Sequence, residues 1–176
     1  MRRFFHSFFI PIAPGIILIL LLCLACNPFS PALDKEGLNN VAQQASRKTI
    51  DGVFQFFKTA YETRDTSLYG KLFSQDFVFS YYDFDANVAV NWDRAQELNT
   101  SQKLFKNTEQ ITLDWNYYVQ KDSTELEASV VRSFNLTIVQ NAQNIFTGTG
   151  RARFRMRRAD AQSDWQIWYW FDDSDF

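Results

Sequence analysis

The side chains that most often carry enzyme chemistry are scarce in this chain, and their positions are informative. The single histidine, His6, and both cysteines, Cys23 and Cys26, fall within the first 26 residues. Beyond them there is no imidazole or thiol. This excludes histidine or cysteine catalytic triads, structural zinc and disulfides from the body of the protein. Carboxylates, tyrosines and arginines remain. A carboxylate-only calcium or magnesium site survives in principle, but Asp172-Asp173-Ser174-Asp175 lacks the glycine and spacing of a calcium loop and reads as a solvated tail. No metal or other cofactor is expected.

Two arginine features stand out. Arg151, Arg153, Arg155 and Arg157 alternate with Ala152, Phe154 and Met156, so on a strand the arginines share one face and the apolar residues the other. The stripe reads as a cross-strand ladder with Glu127 and outer tryptophans rather than a nucleic-acid footprint, since a net acidic chain is a poor phosphate binder. Arg132, by contrast, falls on an apolar face between Val130 and Phe134. Either it pairs with a carboxylate inside the fold or a bulge turns it outward, because an unpaired buried charge costs several kcal/mol, roughly.

These residues sit on elements that the hydrophobic pattern defines. Leu126, Ala128, Val130, Phe134, Leu136 and Ile138 form one face of a long strand. Asn141-Ala142-Gln143 then suits a hairpin loop into the arginine strand. Pairing Gln140 with Asn144 sets Val130 opposite Phe154, Ala128 opposite Met156 and Glu127 opposite Arg157. A slip of one residue would put arginine against the core. The closing run Trp165-Gln166-Ile167-Trp168-Tyr169-Trp170-Phe171 reads as a last strand. Strict alternation places Trp165, Ile167, Tyr169 and Phe171 inward, with Trp168 and Trp170 outside beside Arg155 and Arg153, where arginine over tryptophan is favourable. Those four residues, Trp168, Trp170, Arg153 and Arg155, form a candidate face for a homodimer.

Upstream, residues 38–64 are helical by spacing, and Asp65-Thr66 offers an N-cap for a short second helix. Residues 76–84 read as a strand followed by a turn and a short strand at 88–90. A third helix starts near Asn91 or Asp93 and carries Trp92, Ala95, Leu98 and Phe105. Ile111, Leu113, Trp115, Tyr117 and Val119 then alternate along the first long strand. Helices first and strands afterwards argue for an α+β fold, with three N-terminal helices packed on a strongly curved, mainly antiparallel sheet.

Residues 1–25 read as a signal peptide: Arg2 and Arg3, then the apolar run from Ile16 to Leu22. Leu22-Cys23-Leu24-Ala25-Cys26 resembles a bacterial lipobox, with Cys23 where leucine is usual, and the resemblance implies cleavage before a lipidated Cys26. Residues 26–36 then form a lipid-anchored tether and 37–176 one domain, held at the cell envelope outside the cytoplasmic membrane. Of the 18 basic residues, Arg2 and Arg3 go with the signal, leaving 16 against 20 acidic ones and a net charge of about −4.

The segments Phe57-Lys58-Thr59-Ala60-Tyr61, Asp65 through Phe79 and Asp164-Trp165-Gln166-Ile167-Trp168, in this order of elements, resemble the nuclear transport factor 2-like superfamily. The resemblance implies a cone-shaped fold used by isomerases, cyclases, dehydratases and non-catalytic binding or dimerisation modules. It implies a cone lined by Phe57, Tyr61, Trp115, Tyr117, Arg132, Phe154 and Tyr169, with Arg132 as counter-charge to an acidic ligand. An isomerase-like site would need a carboxylate base, Asp83 or Asp114, and a phenol donor, Tyr61 or Tyr117. The expectation is a membrane-tethered binder of a small apolar or acidic ligand or of a protein partner, more a binding protein than an enzyme. No nucleic-acid partner is expected.

Overall fold

The computed structural model describes residues 46–174. Helix α1 (Ile50–Glu62) and the short α2 (Thr66–Gly70) precede a hairpin of β1 (Phe73–Asp83) and β2 (Val88–Asp93). Helix α3 (Arg94–Lys106) follows, then four long strands: β3 (Gln110–Ser123), β4 (Glu127–Asn141), β5 (Asn144–Arg157) and β6 (Gln166–Ser174). All six strands join one sheet in the order β2-β1-β6-β5-β4-β3. Among the described residues only the β1–β6 pair is parallel, and the chain passes from one edge strand, β2, to the other, β3, through α3. The result is the expected α+β architecture of helices on a curved sheet.

Local chemistry explains the helix ends. Thr49 accepts from the Gly52 N–H at 3.0 Å, so α1 begins at Ile50 and not at residue 38; residues 38–45 lie outside those described. Asp65 caps α2 through the Leu68 N–H at 2.9 Å, and Asp93 caps α3 through the Gln96 N–H at 2.9 Å. The cap at Asp93 leaves Trp92 on β2 rather than on the third helix. Ile50, Val53, Phe54, Phe57 and Ala60 recur at helical spacing and are buried along α1. The rings of Phe54 and Phe57 stack on Phe154 of β5 at 5.4 and 5.7 Å. Burying each such ring stabilises the fold by roughly 1.5–3 kcal/mol.

The β4–β5 register is the one the alternation demands, with Val130 opposite Phe154, Ala128 opposite Met156 and Glu127 opposite Arg157. Two bulges change the neighbouring strands. In β6, Ile167 pairs with Met156 and Tyr169 with Arg155, so Trp168 is an extra residue. Beyond it, Trp170 faces Phe154 and Asp172 faces Ala152. Phe154, Ala152 and Met156 are fully buried, so Trp170 and Asp172 point to the core, and Tyr169 and Phe171 to the outer face. This reverses the inward place expected for Tyr169 and Phe171, and the outward place expected for Trp170. In β3, Trp115 pairs with Phe134 but Tyr118 with Arg132, an irregularity that sends Tyr117 to solvent, 70% exposed, and Tyr118 inward.

Candidate functional site

The bulge at Trp168 decides which polar groups enter the cone. Its inner end is a small cavity of about 70 Å³ walled by Phe57, Tyr61, Trp115, Phe134, Trp170 and Asp172. Asp172 also borders a larger cavity of about 470 Å³, which lies between the β1–β2 turn and the end of β6. Rings carry the wall from one cavity to the other: Trp170 meets Phe79 edge-on at 4.8 Å, and Phe79 stacks on Trp92 at 4.3 Å.

Polar groups here fall into two kinds. Glu97, on the buried face of α3, has both oxygens taken. Its carboxylate accepts from the Tyr69 hydroxyl at 2.7 Å, the Trp92 Nε1–H at 2.7 Å and the Ser101 hydroxyl at 2.9 Å. Asp172 is different. Ser174 donates to its Oδ2 at 3.1 Å, while Oδ1 is enclosed with no partner. Trp115 and Trp170, which wall the same small cavity, hold Nε1–H groups that are likewise enclosed and unpartnered. Buried polar atoms normally find hydrogen bonds, so three orphans around one cavity are a marked departure.

Burial, with the negative charges of Asp173 and Glu97 adding to it, pushes the Asp172 carboxyl up to about 6. Burial and the fields of Glu97 and Asp172 hold the Tyr61 phenol well above the ordinary phenol range, so it stays a neutral donor. A carboxyl that titrates near neutrality beside a neutral phenol can move a proton or anchor a polar ligand.

The residues expected at the site divide as follows. Phe57, Tyr61 and Trp115 line the small cavity. Phe154 is fully buried beneath it, in the ring stack of the core. Arg132 points into the fold but lies outside both cavities. Its guanidinium sits between the Phe54 ring at 4.9 Å and the Tyr118 ring at 4.5 Å, and donates to the Asn116 carbonyl at 3.1 Å and the Tyr118 hydroxyl at 3.3 Å. Tyr118 in turn donates to Asp51, and that bond above all holds the Asp51 carboxyl below its usual range. Of the two proposed bases, Asp114 is exposed and pairs with Lys58 at 3.0 Å. Asp83 accepts from the Ala86 N–H at 2.8 Å and borders the larger cavity. Tyr117 and Tyr169 are not in the cone. On the outer face Arg155 lies over Trp168 and Tyr169, and Arg153 over Phe171. Cys26 is outside the described residues. Sequence reasoning missed Asp172 and Glu97. The signal for Glu97 was a lone acid four residues before Ser101 and eight before Phe105, on the face that packs inward.

No family model matches the sequence, and no curated protein is significantly similar to it. Solved structures do share the fold. A provisionally named aromatic ring hydroxylase from Novosphingobium aromaticivorans is 18% identical, with a TM-score of 0.60 over 74% of this chain and 90% of that one. A provisionally named scytalone dehydratase from the same organism is 13% identical, with a TM-score of 0.62 over 79% and 87%. An NTF2-like protein of unknown function in nutrient uptake from Rhodospirillum rubrum is 17% identical, with a TM-score of 0.58 over 73% and 99%. At such identities the likeness shows the fold alone, the cone of nuclear transport factor 2-like proteins.

Proposed function

We propose that this protein is a ligand-binding cone tethered through Cys26 at the outside of the cytoplasmic membrane. The bound molecule is small and largely apolar, with polar atoms that engage Asp172, Tyr61 and the two indole N–H groups. The observation behind this reading is the set of enclosed, unpartnered atoms, Asp172 Oδ1, Trp115 Nε1 and Trp170 Nε1, around one apolar-walled cavity. Arg132 stands outside the cavity walls, so it supplies no counter-charge there to an acidic ligand.

Native mass spectrometry of the full chain released from non-ionic detergent tests the binding. The expected result is a bound small molecule that Asp172→Asn retains poorly; an empty cone in every preparation would count against the reading. The tether is tested separately: metabolic labelling with a radioactive fatty acid should be lost in Cys26→Ala.

A second reading is favoured by one observation, the Asp172 carboxyl raised to about 6 next to the neutral Tyr61 phenol. In that reading the cone is an enzyme of dehydratase or isomerase type, with Asp172 as base and Tyr61 as donor to a developing oxyanion. Turnover of an enolisable substrate that disappears in folded Asp172→Asn would select it over simple binding.

A further inference from the structure

The larger cavity has a wall of unusual composition. Four carboxylates border it, Asp83, Asp85, Asp172 and Asp173, and none of its lining residues is a lysine or arginine. Among the described residues none of the four is in an ion pair. They do not converge within reach of a single metal ion. Spread carboxylates around a concave, partly apolar wall instead create a broad negative field suited to a larger, diffuse cation.

The rest of the wall fits such an ion. Trp92 and Tyr81, which both line the cavity, meet edge to face at 5.6 Å with their planes 62° apart and form an aromatic corner of its wall. The corner is rigid: Phe79 stacks beneath Trp92, and the Trp92 indole N–H is pinned to Glu97. Tyr81 and Asp172 are paired across β1 and β6, so a carboxylate stands beside the corner. Aromatic faces with carboxylates nearby are the chemistry that recognises alkylated ammonium groups. A second feature points inward. Asp172 also lines the small cavity, where Trp170, 9% exposed, has an unpartnered N–H that an acceptor atom would satisfy.

Resting on the reading of the cone as a ligand site, we propose that its ligand is an organic ammonium ion. The cation lies against Tyr81 and Trp92 with Asp172, Asp83 and Asp85 as counter-charges, and a short arm bearing a hydrogen-bond acceptor reaches the Trp170 N–H. The cavity takes the ammonium of a free solute and disfavours a lipid headgroup, because a phosphate beside the cation would meet the same carboxylates.

The test is isothermal titration calorimetry of the full chain in non-ionic detergent with three probes: choline, its uncharged isostere 3,3-dimethylbutan-1-ol, and phosphocholine. Choline should bind about tenfold more tightly than the alcohol, a preference between that of an exposed and a fully desolvated cation–π contact. Phosphocholine should bind no better than choline. Asp172→Asn should weaken choline several-fold and leave the alcohol unchanged, and Asp85→Asn, a change in an exposed turn, should weaken choline less. Equal binding of choline and the alcohol would overturn the ammonium assignment while leaving the cone a ligand site. Tightest binding of phosphocholine would overturn it in favour of a headgroup. If none of the three binds, the assignment fails, whereas the wider ligand reading fails only if native mass spectrometry also finds the cone empty.

Discussion

Asp172 and Glu97 are two carboxylates enclosed by one cone, and only Glu97 has both oxygens held. Tyr69, Trp92 and Ser101 saturate Glu97, which ties α3 to the β1–β2 hairpin and to α2. Asp172 keeps one oxygen unpartnered at the junction of two cavities. A saturated buried acid is a structural pin, whereas an unsaturated one is held at a cost that a ligand can remove.

That cost has a pH signature. The Asp172 carboxyl rises from an ordinary 3.8 to about 6 on folding, mainly by burial. Between those values the folded chain keeps a proton that the unfolded chain has lost. The contribution of this group to stability is therefore full below pH about 4 and is lost as the pH rises through about 6. Asp172→Asn carries no such charge. It should exceed the wild type by on the order of 1–3 kcal/mol at pH 7.5 and by almost nothing at pH 3.5, measured by urea unfolding at both pH values. A difference independent of pH would mean that Asp172 is freely solvated.

Glu97→Gln replaces one acceptor oxygen with a donor. Whichever way the amide turns, it faces a donor from Tyr69 and Ser101 or from Trp92. The expected loss is about 1–3 kcal/mol, with a weaker near-ultraviolet tryptophan band as Trp92 is released. An unchanged melting point would show that the three hydrogen bonds are replaced by water.

Arg132→Ala should cost about 1–3 kcal/mol, since it removes a guanidinium stacked between Phe54 and Tyr118 and two hydrogen bonds. Ligand retention in native mass spectrometry should be unchanged. Loss of the ligand from folded Arg132→Ala would return this arginine to the site.

Gly150 pairs with Ser174 at the end of β6, and a methyl group on it would lie 2.6 Å from the Ser174 Cα. Gly150→Ala must therefore push the strand end away, at a cost of about 1–3 kcal/mol. Asp172 is two residues from the displaced point. Its carboxyl should titrate nearer its ordinary value, seen as a flatter dependence of stability on pH.

The sequence by itself determined the fold class, the cap at Asp65 and the β4–β5 register, and it left the third helix to start at Asn91 or Asp93. On β5, arginines mark every second position as outward, so only one pairing keeps charge out of the core. The closing strand carries no such marks. Ile167 to Phe171 are all apolar, and a run without polar residues has no period from which to read a face. The same ambiguity at Tyr117 and Tyr118 hid which tyrosine meets Arg132. Only tertiary packing resolved these runs. Inserting Trp168 as an extra residue lets both Ile167 and Trp170 pack inward against Met156 and Phe154, and every later residue changes face. That shift carried Asp172 from the solvated tail its acidic neighbours suggest into the cone, because a side chain's face depends on the count of residues paired before it.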